Sequence, residues 1–474
     1  MQRNHWLVSG FTGVLLSAAL PAAGETLQEA MAAAYSGNPT LLSERAKLRA
    51  TDELVPQALA NWRPTISLNG NATRSTLYTS ITTGSSVVTG LPTAATTITG
   101  TTIYNNETVG VTVTQPIYRG GRTVAQTRQA EAQVEAERAN LQVTEQQVLL
   151  NVANAYLNLA QAQVVLQLRR NNEQVLQRQL DSVQDRFQIG EVTRTDVAQA
   201  ESRLAAAQAD RTQAEGDLRT ARAAYLQTVG HQADKTEMPK RLPDLPASIE
   251  QAQAGAAQDN PAVREARSLY QAALEGIDLI EGELLPVVAV TGTASRFYNF
   301  DGPSSLENVA QLMVGVTVPL YQQGQEYARL RGQKETAGQM RSTLDQTQRD
   351  IEEATSAAWE ALQAGRARRI SFEAQITAAE IALEGVQREN QVGSRTVLDV
   401  LNAEQELLSA QVNEAQAQHD EMLAAFRLLN AAGQLTAEHL GLAVDLYDPM
   451  RHYEEVRDKW VGFGDRPEPQ RMVK

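Results

Sequence analysis

Two aspartates have positions that could indicate a functional site. Each one follows a glycine that interrupts a predicted long helix. Asp196 follows the glycine break at Gly190, and Asp399 follows the break at Gly393 in the same way. Both aspartates would lie in the first turn of a restarting helix, where the helix dipole favours a carboxylate. From the residue pattern alone, helix capping is therefore the favoured interpretation over a functional site.

Catalytic chemistry finds little support in the composition. The chain of 474 residues has no cysteine and five histidines, and it contains neither an HExxH nor a GxxxxGK[ST] motif. The lack of cysteine excludes disulfides, thiolate zinc sites and cysteine nucleophiles. Acidic pairs are frequent, but nothing places two carboxylates around one pocket. The sequence predicts no enzyme, no metal site and no cofactor, and the net charge of −14 argues against a nucleic-acid partner.

The amino-terminal segment 1–24 has the pattern of a secretory signal. Arg3 supplies the positive start, residues 6–20 form an apolar centre, and Ala22-Ala23-Gly24 is a small-residue cleavage site. The apolar run is too short to span a membrane. The sequence predicts a signal peptide over residues 1–24 and export of the remainder.

The chain contains an internal duplication. Asn38-Pro39 and Pro64 recur as Asn260-Pro261 and Pro286 at one constant spacing, and Gly190 recurs as Gly393 at a shorter spacing. The first copy therefore carries extra residues within the Thr/Gly-rich stretch 75–106, which we expect to form a surface loop. After the signal peptide, we therefore predict four parts of the chain: repeat 1 over 25–232, a Pro-rich linker over 233–247, repeat 2 over 248–434 and a tail over 435–474.

Each repeat is predicted to hold two strands followed by two long helices. The expected strands cover about 64–78, 107–118, 286–298 and 310–321. The expected helices cover about 122–189, 193–229, 324–392 and 395–432. Residues 122–189 contain neither Gly nor Pro and have apolar positions at heptad spacing, which predicts a coiled coil about 100 Å long. The helices break at Gly190 and Gly393, and Thr193 and Ser394 are the expected caps of the next helices.

The strands are long enough to cross a bilayer, and a membrane sheet must close because lipid cannot satisfy an open edge. Closed barrels begin at about eight strands, so four strands would need partners from one or two further chains. The pattern leaves open a second interpretation, a small soluble β-domain on a coiled-coil stalk.

Three motifs carry a resemblance to a known family. QPIYRGGR at 115–122, VPLYQQGQ at 318–325 and VGSRTVLDVLNAEQELL at 392–408 resemble the TolC family of Gram-negative outer-membrane channel-tunnels. The resemblance implies a mixed α+β membrane protein, in which a homotrimer forms a twelve-strand β-barrel in outer-membrane lipid and a twelve-helix periplasmic α-barrel. It also implies a periplasmic adaptor and an inner-membrane pump, either an ABC exporter or a proton-driven transporter.

The resemblance further implies a gate at the periplasmic end. Through the motifs VGSRTVLDVL and QIGEVTRTDV, Arg395 is expected to link to Thr195 or Asp196 of a neighbouring coil. Asp399 is expected to line the entrance, where three copies around one axis would attract cations.

Two positions depart from the family pattern. Asn390 stands where many members carry a gate tyrosine, and Asn402 stands where they carry a second acidic residue. We therefore expect weaker cation selectivity than in members with both acidic rings, and a weaker link at Asn390.

The expected function is a passive exit duct for type I protein secretion or for multidrug efflux. The tail looks more like the type I secretion branch, and it is expected either to wrap the tunnel or to be partly disordered. The alternative function is a periplasmic coiled-coil scaffold without a pore.

Overall fold

A computed structural model describes residues 24–84, 87–88, 91–92, 95–233, 235–239, 241–299 and 304–464. Apart from Gly24, the predicted signal peptide lies outside these residues. The chain divides into two compact units. The tip unit comprises Met1–Leu42, Thr144–Asn260 and Ile351–Leu446, and the sheet unit comprises Ser43–Val143, Pro261–Asp350 and Tyr447–Lys474.

Helices dominate the described chain and repeat in pairs. They are α1 Leu27–Gly37, α2 Pro39–Asp52, α3 Leu54–Leu59, α4 Arg122–Gln188, α5 Arg194–Val229, α6 Ile249–Asp259, α7 Pro261–Glu281, α8 Gln325–Gln391, α9 Val397–Ala431 and α10 Arg451–Val456. The starts of α1 and α6 have the same spacing as Pro64 and Pro286, and the starts of α4 and α8 have the same spacing as Gly190 and Gly393. The internal duplication is therefore confirmed.

None of the helices in the described residues is both long and apolar enough to cross a membrane.

The Asn-Pro pairs at the helix junctions have the same structural role in both repeats. The Asn38 side-chain amide donates to the Thr228 carbonyl at 3.0 Å, near the end of α5. The Asn260 amide donates to the Ala431 carbonyl at 2.9 Å, at the end of α9. Each asparagine thus satisfies a carbonyl that has no partner within its own helix, and ties the start of the repeat to the end of its last helix.

The strands form one antiparallel sheet and a minor pair. They are β1 Thr65–Thr83, β2 Val87–Val88, β3 Leu91–Pro92, β4 Thr96–Arg119, β5 Val287–Tyr298 and β6 Leu306–Thr317. The main sheet has the order β1-β4-β5-β6, and β2 pairs with β3. The prediction of a mixed α+β fold with four principal strands and long helices is confirmed.

The main sheet has two chemically different faces. The registers place Ile66 opposite Val113, and Val113 opposite Gly292, on one face. This face is mostly apolar and includes Ile66, Leu68, Val109, Val111, Val113, Val288, Val290, Leu312, Val314 and Val316. The opposite face is rich in hydroxyl and amide groups, including Thr65, Ser67, Asn69, Thr112, Thr114, Thr291, Thr293, Ser295 and Gln311. Because side chains alternate between the two faces along each strand, the sheet has one apolar and one polar surface.

The expected surface loop at 75–106 is wrong for most of its length. The strands β1 and β4 continue through it and pair from Thr73 and Asn106 up to Thr83 and Thr96. The threonines that suggested a loop are β-branched and favour strands, and the Thr82 and Thr97 hydroxyls lie 3.2 Å apart across the ladder.

The last strand also differs from its expected range of 310–321. Strand β6 begins at Leu306 and ends at Thr317. Its start is held next to the end of β5, because the Asn299 N–H donates to the Ser305 carbonyl at 2.8 Å. It ends before Pro319, which has no N–H to donate to a ladder.

Candidate functional site

The turn between α4 and α5 is closed by a glycine in the left-handed region. Gly190 has φ +82°. Its N–H donates to the Phe187 carbonyl at 3.0 Å, and the Glu191 N–H donates to the Arg186 carbonyl at 2.9 Å. These two bonds form a Schellman motif, which satisfies the last carbonyls of α4. A side chain at Gly190 would be strained by its φ value.

The turn between α8 and α9 repeats this geometry. Gly393 has φ +78°, and its N–H donates to the Asn390 carbonyl at 3.0 Å. The Ser394 N–H donates to the Glu389 carbonyl at 2.9 Å. The two helix-turn glycines named from the sequence therefore end the two long helices in the same way.

Both candidate aspartates lie in capping boxes. Asp196 accepts from the N–H and the hydroxyl of Thr193, each at 2.8 Å, and Asp399 accepts from the N–H of Thr396 at 3.0 Å and from its hydroxyl at 2.8 Å. Thr193 was expected as a cap, but the expectation of Ser394 is wrong. The cap of α9 is Thr396, which is the repeat equivalent of Thr193, so the duplication could have identified it.

Capping leaves Asp399 able to present a negative charge. Both capping bonds go to its Oδ2 atom. The Thr396 hydroxyl and backbone N–H hold the pKa of the Asp399 carboxyl below its usual value. The carboxylate is therefore ionised at neutral pH, so the capping role and a role in lining an entrance are compatible.

Arg395 forms its ion pair within its own turn. Its Nε lies 2.8 Å from Oε2 of Glu389, at the end of α8. This hydrogen bond, with a smaller contribution from Asp399, holds the pKa of the Arg395 guanidinium above its usual value. Thr195 is exposed on the first turn of α5. A link from Arg395 to Thr195 or Asp196 of a neighbouring chain stays a prediction.

Helices α4 and α5 form the first helical hairpin, and α8 and α9 form the second. Two arginines of the first hairpin reach side chains of the second hairpin. Arg186 donates to Asn390 at 3.4 Å, and Arg203 donates to Asn402 at 2.9 Å. The Asn390 amide also donates to the Arg395 carbonyl at 2.9 Å. Both asparagines that departed from the family pattern therefore accept a hydrogen bond between hairpins.

Neither arginine was predicted from the sequence. Arg186 is the repeat equivalent of Glu389, because these two positions have the same spacing as Gly190 and Gly393. A reversal of charge between equivalent positions was a signal that could have pointed to Arg186. Arg203 lies on an ordinary polar helix face, and no pattern in the sequence marks it.

An apolar cluster joins the two hairpins near their tips. It consists of Leu176, Leu180 and Val183 from α4, Ala200, Leu204 and Ala207 from α5, and Val397 and Leu401 from α9. Leu401 is 1% exposed. The start of α9 therefore packs against both helices of the first hairpin, and the polar links described above flank this cluster.

Glu404 is a buried carboxylate close to this cluster. It lies on α9 with 7% exposure, and its Oε2 atom has no hydrogen-bond partner. Burial raises the pKa of the Glu404 carboxyl, and the nearby Arg178 and a hydrogen bond from Gln387 oppose this effect only in part. Ionised Glu404 is therefore a cost to the folded tip.

We expect Glu404→Gln to stabilise the protein at neutral pH by about 1 kcal/mol per chain, because it removes a poorly satisfied buried charge. The folded-state pKa is raised, so the cost of ionisation grows as pH rises above the ordinary carboxyl value of about 4.3. The gain should therefore be present at pH 7 and vanish near pH 4. Thermal midpoints of the purified protein at both pH values measure it.

Glu201 supplies the matched control, because it is the repeat equivalent of Glu404 and is exposed. Glu201→Gln should leave the midpoint unchanged at both pH values. An equal gain from both variants, or a gain at Glu404 that persists at pH 4, would contradict the assignment.

Comparison with known proteins decides the family. The family model described as "Outer membrane efflux protein" matches residues 31–231 and 254–434, which is most of the chain. The chain belongs to the outer membrane efflux protein family. It is 37% identical over 443 residues to "Outer membrane efflux protein BepC" of Brucella suis, covering 93% of this chain and 92% of the relative.

Further comparisons agree with this assignment. "Outer membrane protein TolC" of Vibrio cholerae is 27% identical over 360 residues, covering 69% of this chain and 77% of the relative. The fold matches the crystal structure of the Campylobacter jejuni CmeC outer membrane channel with a TM-score of 0.72 at 15% identity. That match covers 91% of this chain and 89% of the CmeC chain.

The family membership confirms the resemblance to the TolC family. The protein is an outer-membrane efflux channel of tripartite efflux and secretion systems, and not an enzyme. It is located in the outer membrane of a Gram-negative bacterium, with a periplasmic tunnel. Channels of this family form trimers. These findings favour the channel over the scaffold without a pore.

Proposed function

We propose that three copies of this chain close one barrel and form the passive exit duct of a tripartite export system. The observation that carries the proposal is the main sheet, in which β1 and β6 are the edge strands of the described residues. Lipid cannot hydrogen-bond to the free backbone groups at an open sheet edge, and four strands are too few to close a barrel. Three copies supply twelve strands, in agreement with the trimers that the family forms.

The chemistry of the two sheet faces indicates which face would contact lipid and which would line the lumen of the barrel. The apolar face, with exposed Ile66, Leu68 and Leu312, suits the lipid side. The opposite face suits a water-filled lumen, since the Thr114 and Thr291 hydroxyls lie 3.4 Å apart on it and are ready to bind water.

The hairpin tips are proposed as the gate of the duct. The apolar cluster around Leu401 and the two arginine links hold the second hairpin against the first. Opening would have to separate these contacts in each of the three chains. Ionised Asp399 in the first turn of α9 would then add one negative charge per chain to the entrance.

The proposed partners are a periplasmic adaptor that binds the tips and an inner-membrane pump behind it. Glu191 and Gln391 are exposed at the two turns, so an adaptor could reach them. An ABC exporter would assign the duct to type I secretion, and a proton-driven pump would assign it to multidrug efflux. The relative named an efflux protein supports the general role, and it is compatible with either pump.

In-cell photocrosslinking from Glu191 and Gln391, followed by mass spectrometry, tests the proposal. We expect an adaptor at both positions, together with the components of one pump. Ser80, exposed on β1 of the barrel, is the control position and should give no adaptor. Assembled trimers that crosslink to no periplasmic protein from either tip would contradict the proposed docking.

A further inference from the structure

The C-terminal segment 447–464 follows the sheet unit in one direction. Along its length, Tyr447 lies under the Arg45 guanidinium at 5.1 Å, and His452 pairs with Asp52 at 3.0 Å. Trp460 then lies under the Arg63 guanidinium at 4.9 Å. The partners thus advance from Arg45 through Asp52 to Arg63, which stands just before the start of β1.

The contacts with α4 advance in the same direction. Tyr453 lies under the Arg138 guanidinium at 4.8 Å, and Arg457 lies 3.8 Å from Glu131. The step from Arg138 to Glu131 moves about 10 Å along α4 toward its start at Arg122, next to the end of β4. Two independent sets of contacts therefore lead the segment toward one edge of the sheet, the edge at which β1 starts and β4 ends.

The segment is held firmly at that edge. The Arg63 guanidinium donates to the Lys459 carbonyl at 2.8 Å while it covers the Trp460 ring. Upstream, His452 binds the almost fully buried Asp52 carboxylate. The end of the segment is thus fixed beside the first residues of β1 by a hydrogen bond and a cation–π contact.

The side chains at this fixed end are apolar and open to solvent. Trp460 is 66% exposed, Val461 is 87% exposed and Phe463 is fully exposed. Arg63, which covers Trp460, stands two residues before β1, and Trp62 and Ile66 near it in the chain are exposed apolar residues as well. In the outer-membrane channel this edge is the periplasmic one, because the long helices start there.

We propose that residues 460–463 insert into the periplasmic leaflet of the outer membrane, so that the C-terminal segment anchors the protein to phospholipid. Tryptophan beside lysine, as in Lys459-Trp460, is typical of the headgroup level of a bilayer. The contact of Lys459 and Trp460 with Arg63, just before the strand whose apolar face is proposed to meet lipid, favours phospholipid over a second protein as the occupant. The inference rests on the proposed membrane barrel, and it adds a lipid contact outside the strands.

Tryptophan quenching by brominated phosphatidylcholine tests the anchor. The double variant Trp62→Phe with Trp359→Phe leaves Trp460 as the only tryptophan after the predicted signal peptide. In proteoliposomes, we expect Trp460 to lose emission to bromines at carbons 6 and 7, and less to bromines at carbons 11 and 12. A protein in which Trp359 is the only tryptophan should show no loss, since that residue belongs to the helices of the tip unit.

A second probe separates failure of the anchor from failure of the barrel. Leu68→Trp, in a chain whose Trp62, Trp359 and Trp460 are phenylalanine, reports the lipid-facing side of β1. Quenching at position 68 without quenching at Trp460 would overturn the anchor, whether solvent or a second copy covers Trp460. No quenching at either position would overturn the barrel and the anchor together.

One further variant keeps the test valid if Trp359→Phe impairs folding. Trp460→Phe in the otherwise natural chain keeps Trp62 and Trp359. The fraction of total emission that the shallow bromines quench should fall relative to the natural protein. An unchanged quenched fraction would again overturn the anchor.

Discussion

Replacing Leu401 by alanine should destabilise the hairpin tips by about 2–5 kcal/mol per chain, the usual range for a fully buried leucine. Leu401 is 1% exposed and packs against both helices of the first hairpin. The loss should lower the thermal midpoint of the purified trimer. It should also raise single-channel conductance in planar bilayers, because the same packing holds the proposed gate closed.

Leu398 provides the matched control on the same helix. It lies one helical turn before Leu401 and is 38% exposed, so Leu398→Ala removes the same atoms with much less lost packing. We expect a smaller change in the midpoint and no change in conductance. Equal effects of the two variants would show that the cluster does not hold the tips together.

Removing both arginine links should open the tips with little loss of overall stability. The double variant Arg186→Ala with Arg203→Ala deletes the hydrogen bonds to Asn390 and Asn402. Three chains would lose six such links, and at about 0.5 kcal/mol for each hydrogen bond the balance shifts by about 3 kcal/mol, on the order of 100-fold in population. Mean single-channel conductance should rise several-fold.

Arg388 is the control for the change in charge. It pairs with Glu384 within α8, so Arg388→Ala removes a positive charge near the tip without cutting a link between hairpins. Its conductance should equal that of the natural protein. If Arg388→Ala opened the channel as much as the double variant, electrostatics of the entrance would explain the effect in place of the links.

The fold could be predicted well because its signals are periodic and duplicated. The absence of Gly and Pro over 122–189 predicted a long helix, and α4 runs over Arg122–Gln188. The bounds of β1 and β4 were harder to predict, since threonine and glycine are common in both loops and strands. Only the cross-strand partners, such as Thr82 and Thr97, decide between them, and these partners cannot be identified before the hairpin register is known.

The candidate site was harder to predict than the fold. Asp196 and Asp399 were found from their position after glycine breaks, and the structure gives each a capping threonine in the preceding turn. Arg186 and Arg203 act across hairpins, and such pairs depend on how two helices face each other. That rotation is set by the packing of the whole apolar cluster, which no local pattern in the sequence specifies.

The hairpin of β1 and β4 is much taller than that of β5 and β6. Beyond the last pair with β5, at Glu107, eleven further residue pairs join β1 and β4, from Thr73 with Asn106 to Thr83 with Thr96. At about 3.3 Å per residue this ribbon measures about 36 Å along the strand. Three copies would form a crown at the end of the barrel away from the periplasmic helices, on the cell exterior. The crown offers a site for displaying a foreign peptide on living cells without touching the duct below.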